Sequence, residues 1–518
     1  MQRQNMSLDA HVGEDAFTEP GYPYFDAETY HDLIRSRSSE WAINTDAGVD
    51  QWIADKMATA HLSSRIIPIG QIEGWQIEGA TGNIHHLSGK FFTITGVQAR
   101  HRTRRGDLEW DQPIIDQPEI GILGILAKKI EGVLHFCLQA KEEPGNIHSV
   151  QLSPTVQATY SNYTRVHGGK VPQFIDYFLD PPQQAVLYAK LQTEDGGRFL
   201  FKSNRNMVVK ADDNEFDYLS DGYIWLTLRQ IAQLLRRDNL VNACARSVLS
   251  ALFLCRHSSG IELPQVQASR AGKGGHGSND PFGAPCVPVV PRERGRTGFI
   301  PIEHIQWLDS QKSDNHIFQK RIPLRELWDW NQDASGYLVH RRGKFFKIIG
   351  LQVTSRSREI RTWCQPIMDN VATGIIGLLV RSTPDGMECL MQAKADVGNR
   401  SIIQIAPTVQ FTQENYVKNE RLNKPFLYEE FIAPRVFIPV AESRQSEEGA
   451  RFYQEEHVHR ILMLPEQVDL DIPPDYRWFS EQEIHWFLHF GEQVNSCARS
   501  ILAVYCSLSE EHRALPGR

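Results

Sequence analysis

Apolar positions change their spacing along this chain in an order that occurs twice. Between Val49 and Met57 they fall at helical intervals (Val49, Trp52, Ile53, Met57), which predicts a helix with one apolar face. Short runs rich in β-branched and aromatic residues follow, bounded by Gly, Pro or Asp: KFFTITGVQ, GILGILA, VLHFCLQAK and VQLSPTVQAT. These predict strands. The stretch YIWLTLRQIAQLLRRDNLVNACARSVLSALF then returns Leu and Ile to three- and four-residue spacing and predicts core-facing helix. HIQWLDSQK, KFFKIIGLQ, GIIGLLV, ECLMQAK, IIQIAPTVQ and YRWFSEQEIHWFLHFGEQVNSCARSILAVY repeat the series. Each unit reads as helix, mixed strands, helix, an α+β domain whose sheet is flanked by helices.

The two series share a register. Trp52 and Trp75 recur 255 residues on as Trp307 and Trp330, and the Gly89 to Phe92 motif recurs 254 on at Gly343 to Phe346. From Trp110/Trp363 the offset is 253. It holds through Gly121/Gly374, Lys141/Lys394, Pro154/Pro407, Tyr223/Tyr476 and Arg246/Arg499. An intragenic duplication explains a register kept over so long a stretch, and a period of this length means two domains rather than a solenoid. We place a mobile leader at 1–45, with at most a short helix near Ala27 to Arg37. The first repeat follows at 46–256, a Gly/Ser/Pro-rich linker at 257–300 and the second repeat at 301–510.

Composition narrows the function. The 518 residues carry a net charge of −8, which argues against a nucleic-acid partner. None of the eight cysteines forms a C-x-x-C pair and most sit in apolar runs, so they read as reduced core thiols of a cytoplasmic protein. The N-terminal residues contain no apolar signal-peptide core, and no apolar run approaches the ~18 residues of a membrane span. GxxxxGK[ST], HExxH and GxSxG are absent, and the one GxGxxG match, at Gly272, lies in the linker with no strand before it. Nicotinamide redox, P-loop hydrolysis and zinc catalysis thus find no motif, and no cofactor is expected.

Candidate chemistry concentrates in Gln139 to Thr164, QAKEEPGNIHSVQLSPTVQATYSNYT, and in its echo QAKADVGNRSIIQIAPTVQFTQENY from Gln392 to Tyr416. Lys141 and Lys394 end a strand, where a lysine meets a diphosphate, polarises a carbonyl or is simply solvated. Glu143 and Asp396 keep a carboxylate in the following Gly-Asn turn, in which the Gly would supply positive φ, and a carboxylate there can serve as a general base. Ser153-Pro154-Thr155-Val156-Gln157 and Ala406-Pro407-Thr408-Val409-Gln410 each put a proline inside a strand. That is either an edge kink or a bulge aiming Thr155 and Gln157 into a cleft. Tyr160, Ser161, Asn162, Tyr163 and His167-Gly168-Gly169 are dense only in the first copy, and a tyrosine can stack on a sugar or donate a proton. Trp75 and Trp330 are base-stacking or core residues; Arg246 and Arg499 on the late helices read as solvated or salt-bridged ahead of any ligand role.

LQAKEEPGN, VQLSPTVQATYSNYT and HGG, with MQAK, IAPTVQ and SEEGARFY, resemble the NDP-hexose 2,3-dehydratases across residues 45 to 510. The resemblance implies a duplicated α/β/α Nudix-like fold, although the Nudix box itself is missing. It further implies a homodimer with two nucleotide-sugar pockets per subunit, one active and one a remnant. The implied substrate is a dTDP-4-keto-6-deoxyhexose, dehydrated to a 3,4-diketo-2,6-dideoxysugar that a separate 3-ketoreductase takes onward in natural-product biosynthesis. On that reading Lys141 lies near the ketone or diphosphate, Glu143 is the base and Tyr163 the acid. Ser153 to Gln157 and Ala406 to Gln410 line the pockets, Trp75 and Trp330 stack on the base, and no metal is involved. A non-catalytic nucleotide-sugar sensor is the rival, and a nucleotide-sugar hydrolase a more distant one.

Overall fold

The structure is a computed structural model that describes residues 25–103, 106–164, 171–215, 219–253, 300–356, 360–370, 372–417 and 422–508. The expected helices form at Asp46–Ala58 and Ile302–Asp314. A further helix, Ala27–Ser38, packs on the first repeat through Leu33, which is 2% exposed, and Ser36, whose hydroxyl donates to the Leu134 carbonyl at 2.5 Å. The folded body therefore begins inside the stretch read as a leader. Six of the cysteines, Cys137, Cys244, Cys364, Cys389, Cys497 and Cys506, are buried free thiols. No described helix is long and apolar enough to cross a membrane.

Each repeat builds a mixed sheet of seven strands. In the first, Gly121–Ile130 runs parallel to Ser203–Lys210 and antiparallel to Val133–Lys141. The second matches it with Gly374–Thr383, Glu456–Met463 and Gly386–Ala395. Part of the stretch read as terminal helix is a strand instead. Tyr223–Leu226 pairs with Phe136 to Gln139, and Tyr476–Ser480 pairs with Glu388 to Gln392. Aromatic and β-branched side chains favour the pleated surface here. The helix starts only where a capping box allows, at Thr227/Gln230 and at Ser480/Glu483.

The proline motifs resolve in a way that periodicity did not suggest. Gly121–Ile130 and Val133–Lys141 pair as far as Leu126↔Cys137 and then part. The chain from Gln151 to Ala158 enters the fork, with Gln151–Pro154 bonded to one arm and Val156–Ala158 to the other. At the point of parting, the Leu126 N–H and the Cys137 carbonyl would lose their partners. The Thr155 hydroxyl accepts from the first at 2.9 Å and donates to the second. Thr408 does the same for Leu379 N–H at 2.8 Å and the Leu390 carbonyl at 2.6 Å. Buried backbone groups need partners, which is the reason for a threonine at this position in both copies.

The repeats exchange segments. Ser63–Ile67 leaves the first repeat and pairs antiparallel with Gly350 to Thr354 of the second, and His316–Ile322 pairs with Gly96 to Arg102 of the first. One apolar cluster accordingly interleaves both copies, with Ile67, Ile72, Phe92 and Phe199 among Ile322, Trp330, Phe346 and Phe452. Helices Ala243–Phe253 and Ser496–Ser507 pack on each other in a second shared core. There Arg246 and Arg499 are 0% and 1% exposed, not solvated. Arg246 Nε donates to Ser500 Oγ at 2.7 Å, and Arg499 Nε to Ser247 Oγ at 2.8 Å. Each Nη2 reaches the other repeat's backbone, at Ser446 and Thr193, while each Nη1 donates to a carbonyl of its own repeat, Val241 or Val494. These arginines join the two halves, and Arg499 also borders a small cavity beside Glu447 and Glu448.

Candidate functional site

Each repeat presents the same polar wall, completed by a segment of the other repeat. In the first pocket, Lys141 Nζ donates to the Gln157 carbonyl at 3.2 Å and lies 3.7 Å from Glu143 Oε1. Gln157 Nε2 donates to Glu143 Oε1 at 3.0 Å, and Gln157 Oε1 accepts from Asn242 Nδ2 at 3.0 Å. Asn242 also accepts from the Ala245 N–H at 2.8 Å, which caps the late helix and fixes the amide. Of the two carboxylates after Lys141 only Glu143 turns inward. Glu142 binds the backbone N–H groups of His61 and Leu62 at 2.8 and 2.6 Å. Glu143 is 5% exposed, and its Oε2 has no hydrogen-bond partner.

The segment Glu447 to Gln454 of the second repeat closes this wall. Gly145 N–H donates to the Gly449 carbonyl at 2.7 Å, and Gln454 N–H to the Gly145 carbonyl at 2.7 Å. Gly145 does not adopt positive φ, as the turn reading expected; a Cβ there would lie 1.9 Å from the Phe452 carbonyl oxygen. The glycine exists to let a second backbone pass. Arg451 thereby enters the pocket of the other repeat. Its guanidinium lies 4.3 Å over the Phe92 ring, and Nε and Nη2 both donate to Gln117 Oε1 at 3.2 Å. Lys202 donates to the Glu119 carbonyl, while the Glu119 carboxylate accepts from Ser161 Oγ at 2.8 Å and Ser161 N–H at 3.1 Å. Burial pulls the Lys202 ammonium below its usual range, although the carboxylates of Glu194 and Glu448 work against that.

The twin pocket is a cavity of about 310 Å³, lined by Arg198, Asn370, Lys394, Asp396, Gln410 and Tyr416 among others. Asn495 Nδ2 donates to Gln410 Oε1 at 3.1 Å, repeating the amide pair. Arg198, from the first repeat, lies 4.3 Å over Phe346 and donates to Asn370 Oδ1 at 3.4 Å. The chemistry differs in two places. Lys394 and Asp396 form a direct ion pair. Burial disfavours the Lys394 ammonium, but Asp396 outweighs it and holds the group above the ordinary lysine range. Glu455 stands where the first pocket has Lys202, and burial pushes its carboxyl up to about 8.

A family model for NDP-hexose 2,3-dehydratase matches residues 46–252 and again 302–505. The chain belongs to the NDP-hexose 2,3-dehydratase family. A dTDP-4-dehydro-6-deoxy-alpha-D-glucopyranose 2,3-dehydratase of Amycolatopsis orientalis is 38% identical over 460 residues, covering 88% of this chain and 89% of that one. Proteins of the same name from Saccharopolyspora spinosa and Streptomyces violaceoruber are 36% and 35% identical, over 88% and 90% of this chain and 90% and 98% of theirs.

Within this dehydratase chain the residues singled out from sequence separate into two groups. Lys141, Glu143 and Gln157 meet in the first pocket, and Gln410 lines the second. Ser153, Pro154, Thr155 and Val156 are buried in the forked sheet, as are Ala406, Pro407, Thr408 and Val409. Thr155 in particular turns away from the cleft expected for it. Trp75 donates its indole N–H to the Cys364 carbonyl at 2.8 Å and packs on Phe92. Trp330 is 4% exposed, with its N–H on the Asp111 carbonyl at 2.9 Å. Both tryptophans join the shared core; Trp330 has no face open for stacking. Tyr163 packs its ring 5.3 Å from Tyr160, with Arg205 and Glu119 among its charged neighbours. Burial raises its phenol above the usual range, so it stays protonated near neutrality. His167, Gly168 and Gly169 lie outside the described residues. Lys202, Glu119 and Gln117 carry no local signature that marks a site, and Arg451 lies in SEEGARFY, a motif of the resemblance to which no role was given. A further signal was the recurrence of E-D-G-G-R-F as E-E-G-A-R-F at Glu194 and Glu447, at the common offset.

Proposed function

We propose that this dehydratase acts in its first pocket on dTDP-4-keto-6-deoxyglucose, a hydro-lyase step of deoxysugar biosynthesis. The observation that carries this reading is Glu143, a buried carboxylate oriented by Gln157, with one oxygen unpartnered and an ammonium 3.7 Å away. The C4 ketone acidifies the hydrogen on C3. Glu143 takes that proton, and the electron pair moves onto O4. Lys141 stabilises the developing enolate charge there. Collapse of the enolate forms the C2–C3 double bond and expels the C2 hydroxyl, which needs a proton to leave as water. The enol product takes a proton at C2 and becomes the 3,4-diketo-2,6-dideoxysugar. Tyr163 is one candidate for the leaving-group acid. Carbon acidity comes from the substrate's own ketone, so the sequence of steps calls on no redox cofactor.

The finer proposals concern setting. We place the repeats in a Nudix-like α/β/α scaffold, the chain in a cytoplasmic homodimer, and a 3-ketoreductase next in the reaction order because the diketone is labile. The twin pocket favours binding without turnover, since its Asp396 is held in the Lys394 ion pair. The test is Glu143→Gln with substrate deuterated at C3. Loss of deuterium washout supports Glu143 as the base, and unchanged washout rejects it. For the wild type, a 3-ketoreductase with NADPH separates enzyme from sensor: cofactor is consumed only if the sugar is dehydrated.

A further inference from the structure

The proposed mechanism uses one carboxyl group of the first pocket, yet the structure brings several more to it from both repeats. Most are already engaged. Glu119 accepts two hydrogen bonds from Ser161, and Glu194 Oε1 accepts from Asn204 Nδ2 at 2.5 Å. Glu447 lies 3.5 Å from His457 on the twin side. Glu448 is different. Among the described residues its carboxyl accepts no hydrogen bond and forms no ion pair; only its backbone carbonyl is used, by Arg451 and Phe452. It lies on the Glu447 to Gln454 segment, one residue before Gly449, whose carbonyl is bonded to Gly145 N–H two residues after Glu143. A Cβ on Gly449 would meet Asn146 Oδ1 at 2.2 Å, so the docking of these two turns leaves little room for displacement. By the common offset Glu448 matches Asp195, which lines the twin pocket together with Asp396, so the first pocket draws on two carboxyl groups, one per repeat; Glu448 also borders a small cavity with Glu194, Glu447 and Arg499.

The twin pocket has the same pair in a form that cannot work the same way. Position 448 corresponds to Asp195 and position 143 to Asp396, each one methylene shorter. Asp396 is bonded to Lys394, and Asp195 Oδ1 accepts from Gly197 N–H at 3.2 Å. In the twin pocket Lys394 sits directly on Asp396, whereas in the first pocket Lys141 stands 3.7 Å from Glu143 and the Glu448 carboxyl accepts no hydrogen bond among the described residues.

Resting on the dehydratase reading above, we infer that Glu448, carried in from the second repeat, is the general acid that protonates the departing C2 hydroxyl in the first pocket. The C2–O bond breaks as the proton on the Glu448 carboxyl passes to that oxygen. Water leaves, and Glu448 is left as carboxylate. The C3 proton sits on Glu143, so the two carboxyls end with exchanged protonation; Glu143 then gives its proton to C2 as the enol's C3 hydroxyl proton passes to Glu448, directly or through water, which forms the C3 ketone and resets both. Paired carboxyls with separated roles are a general solution for acid–base chemistry near neutrality. Burial, with the Glu143 carboxylate behind it, raises the Glu448 carboxyl against the opposing pull of Arg451, which favours its protonated form. The duplication then has a chemical consequence: neither repeat alone contains both groups.

The test compares Glu448→Gln with wild type, Glu143→Gln and Tyr163→Phe in the full chain. It measures C3 deuterium washout, dehydration coupled to a 3-ketoreductase, and dTDP binding and thermal melting as checks on folding. Each enzyme is also given the 2-deoxy-2-fluoro analogue of the keto sugar, whose fluoride departs without a proton. The inference expects Glu448→Gln to keep washout, to lose dehydration on the order of 10²-fold or more, and to recover with the fluoro analogue. Near wild-type dehydration by Glu448→Gln overturns it. So does loss of washout with no recovery on the fluoro analogue, or the selective recovery appearing in Tyr163→Phe instead. A wild type that neither exchanges C3 nor dehydrates overturns the dehydratase reading and this inference with it; a working wild type confines any failure to Glu448.

Discussion

A single methyl group at Gly145 should disable the first pocket from outside its chemistry. In Gly145→Ala the new Cβ would lie 1.9 Å from the Phe452 carbonyl oxygen and 2.8 Å from that of Gly449. Ordinary contact needs more than 3 Å, so the Glu447 to Gln454 segment must move by roughly 1 Å or more. That movement breaks or stretches the two backbone hydrogen bonds that dock it, each worth about 1 kcal/mol. Overpacking adds about 1–3 kcal/mol, for a total of about 3–5 kcal/mol. At about 2–4 °C per kcal/mol for domains of this size, the melting temperature should fall on the order of 10 °C. Activity should fall further than stability. The displaced segment carries Glu448 and Arg451, and a shift of about 1 Å in a catalytic group costs on the order of 10²-fold. The assays are a thermal melt and the reductase-coupled dehydration at a temperature where the variant is folded. Gly79→Ala is the control, because a Cβ there meets nothing within 4 Å, and it should leave both unchanged. A Gly145→Ala protein that melts within about 2 °C of wild type and dehydrates at full rate would refute the cross-repeat construction of the pocket.

Two further outcomes follow from buried charge. Arg246→Met should cost about 3–5 kcal/mol in urea unfolding, because it strands Ser500, Gln445 and the Ser446 carbonyl in the shared core; Arg246→Lys should not restore it, since one ammonium cannot span the fork's separate acceptors. Glu455 titrates at about 8 in the fold against an ordinary 4.5, so the folded state holds its proton more tightly than the unfolded chain does. Its contribution is whole below about 4.5 and is lost as pH rises through about 8. Melting of Glu455→Gln followed from pH 5 to 8.5 should therefore decline less than wild type, the gap widening by at most about 1.4 kcal/mol per pH unit; parallel curves would show that Glu455 is already ionised in the fold.

Sequence by itself determined the duplication, the two entry helices, the strand runs and the family, because these are written in local spacing and in motifs that recur at a constant offset. It also brought Lys141, Glu143 and Gln157 together, since they lie in one short polar stretch. Pattern could not show which side of the fork Thr155 serves, because strand alternation assumes one pairing partner and this segment changes partner midway. The choice of core over stacking for Trp330, and the burial of Arg246 and Arg499 in place of solvation, were equally hidden: an indole or guanidinium is placed only when the carbonyls that receive it are known. Only the tertiary structure decided that each pocket is completed across the duplication. Exchange of Ser63–Ile67 and His316–Ile322 interlocks the repeats. The separate segment Glu447 to Gln454, docked on Gly145, brings Glu448 and Arg451 to a wall encoded about 300 residues earlier in the sequence. No periodicity within one repeat records a contact whose two sides belong to different repeats, and that is where the pocket's second carboxyl lies.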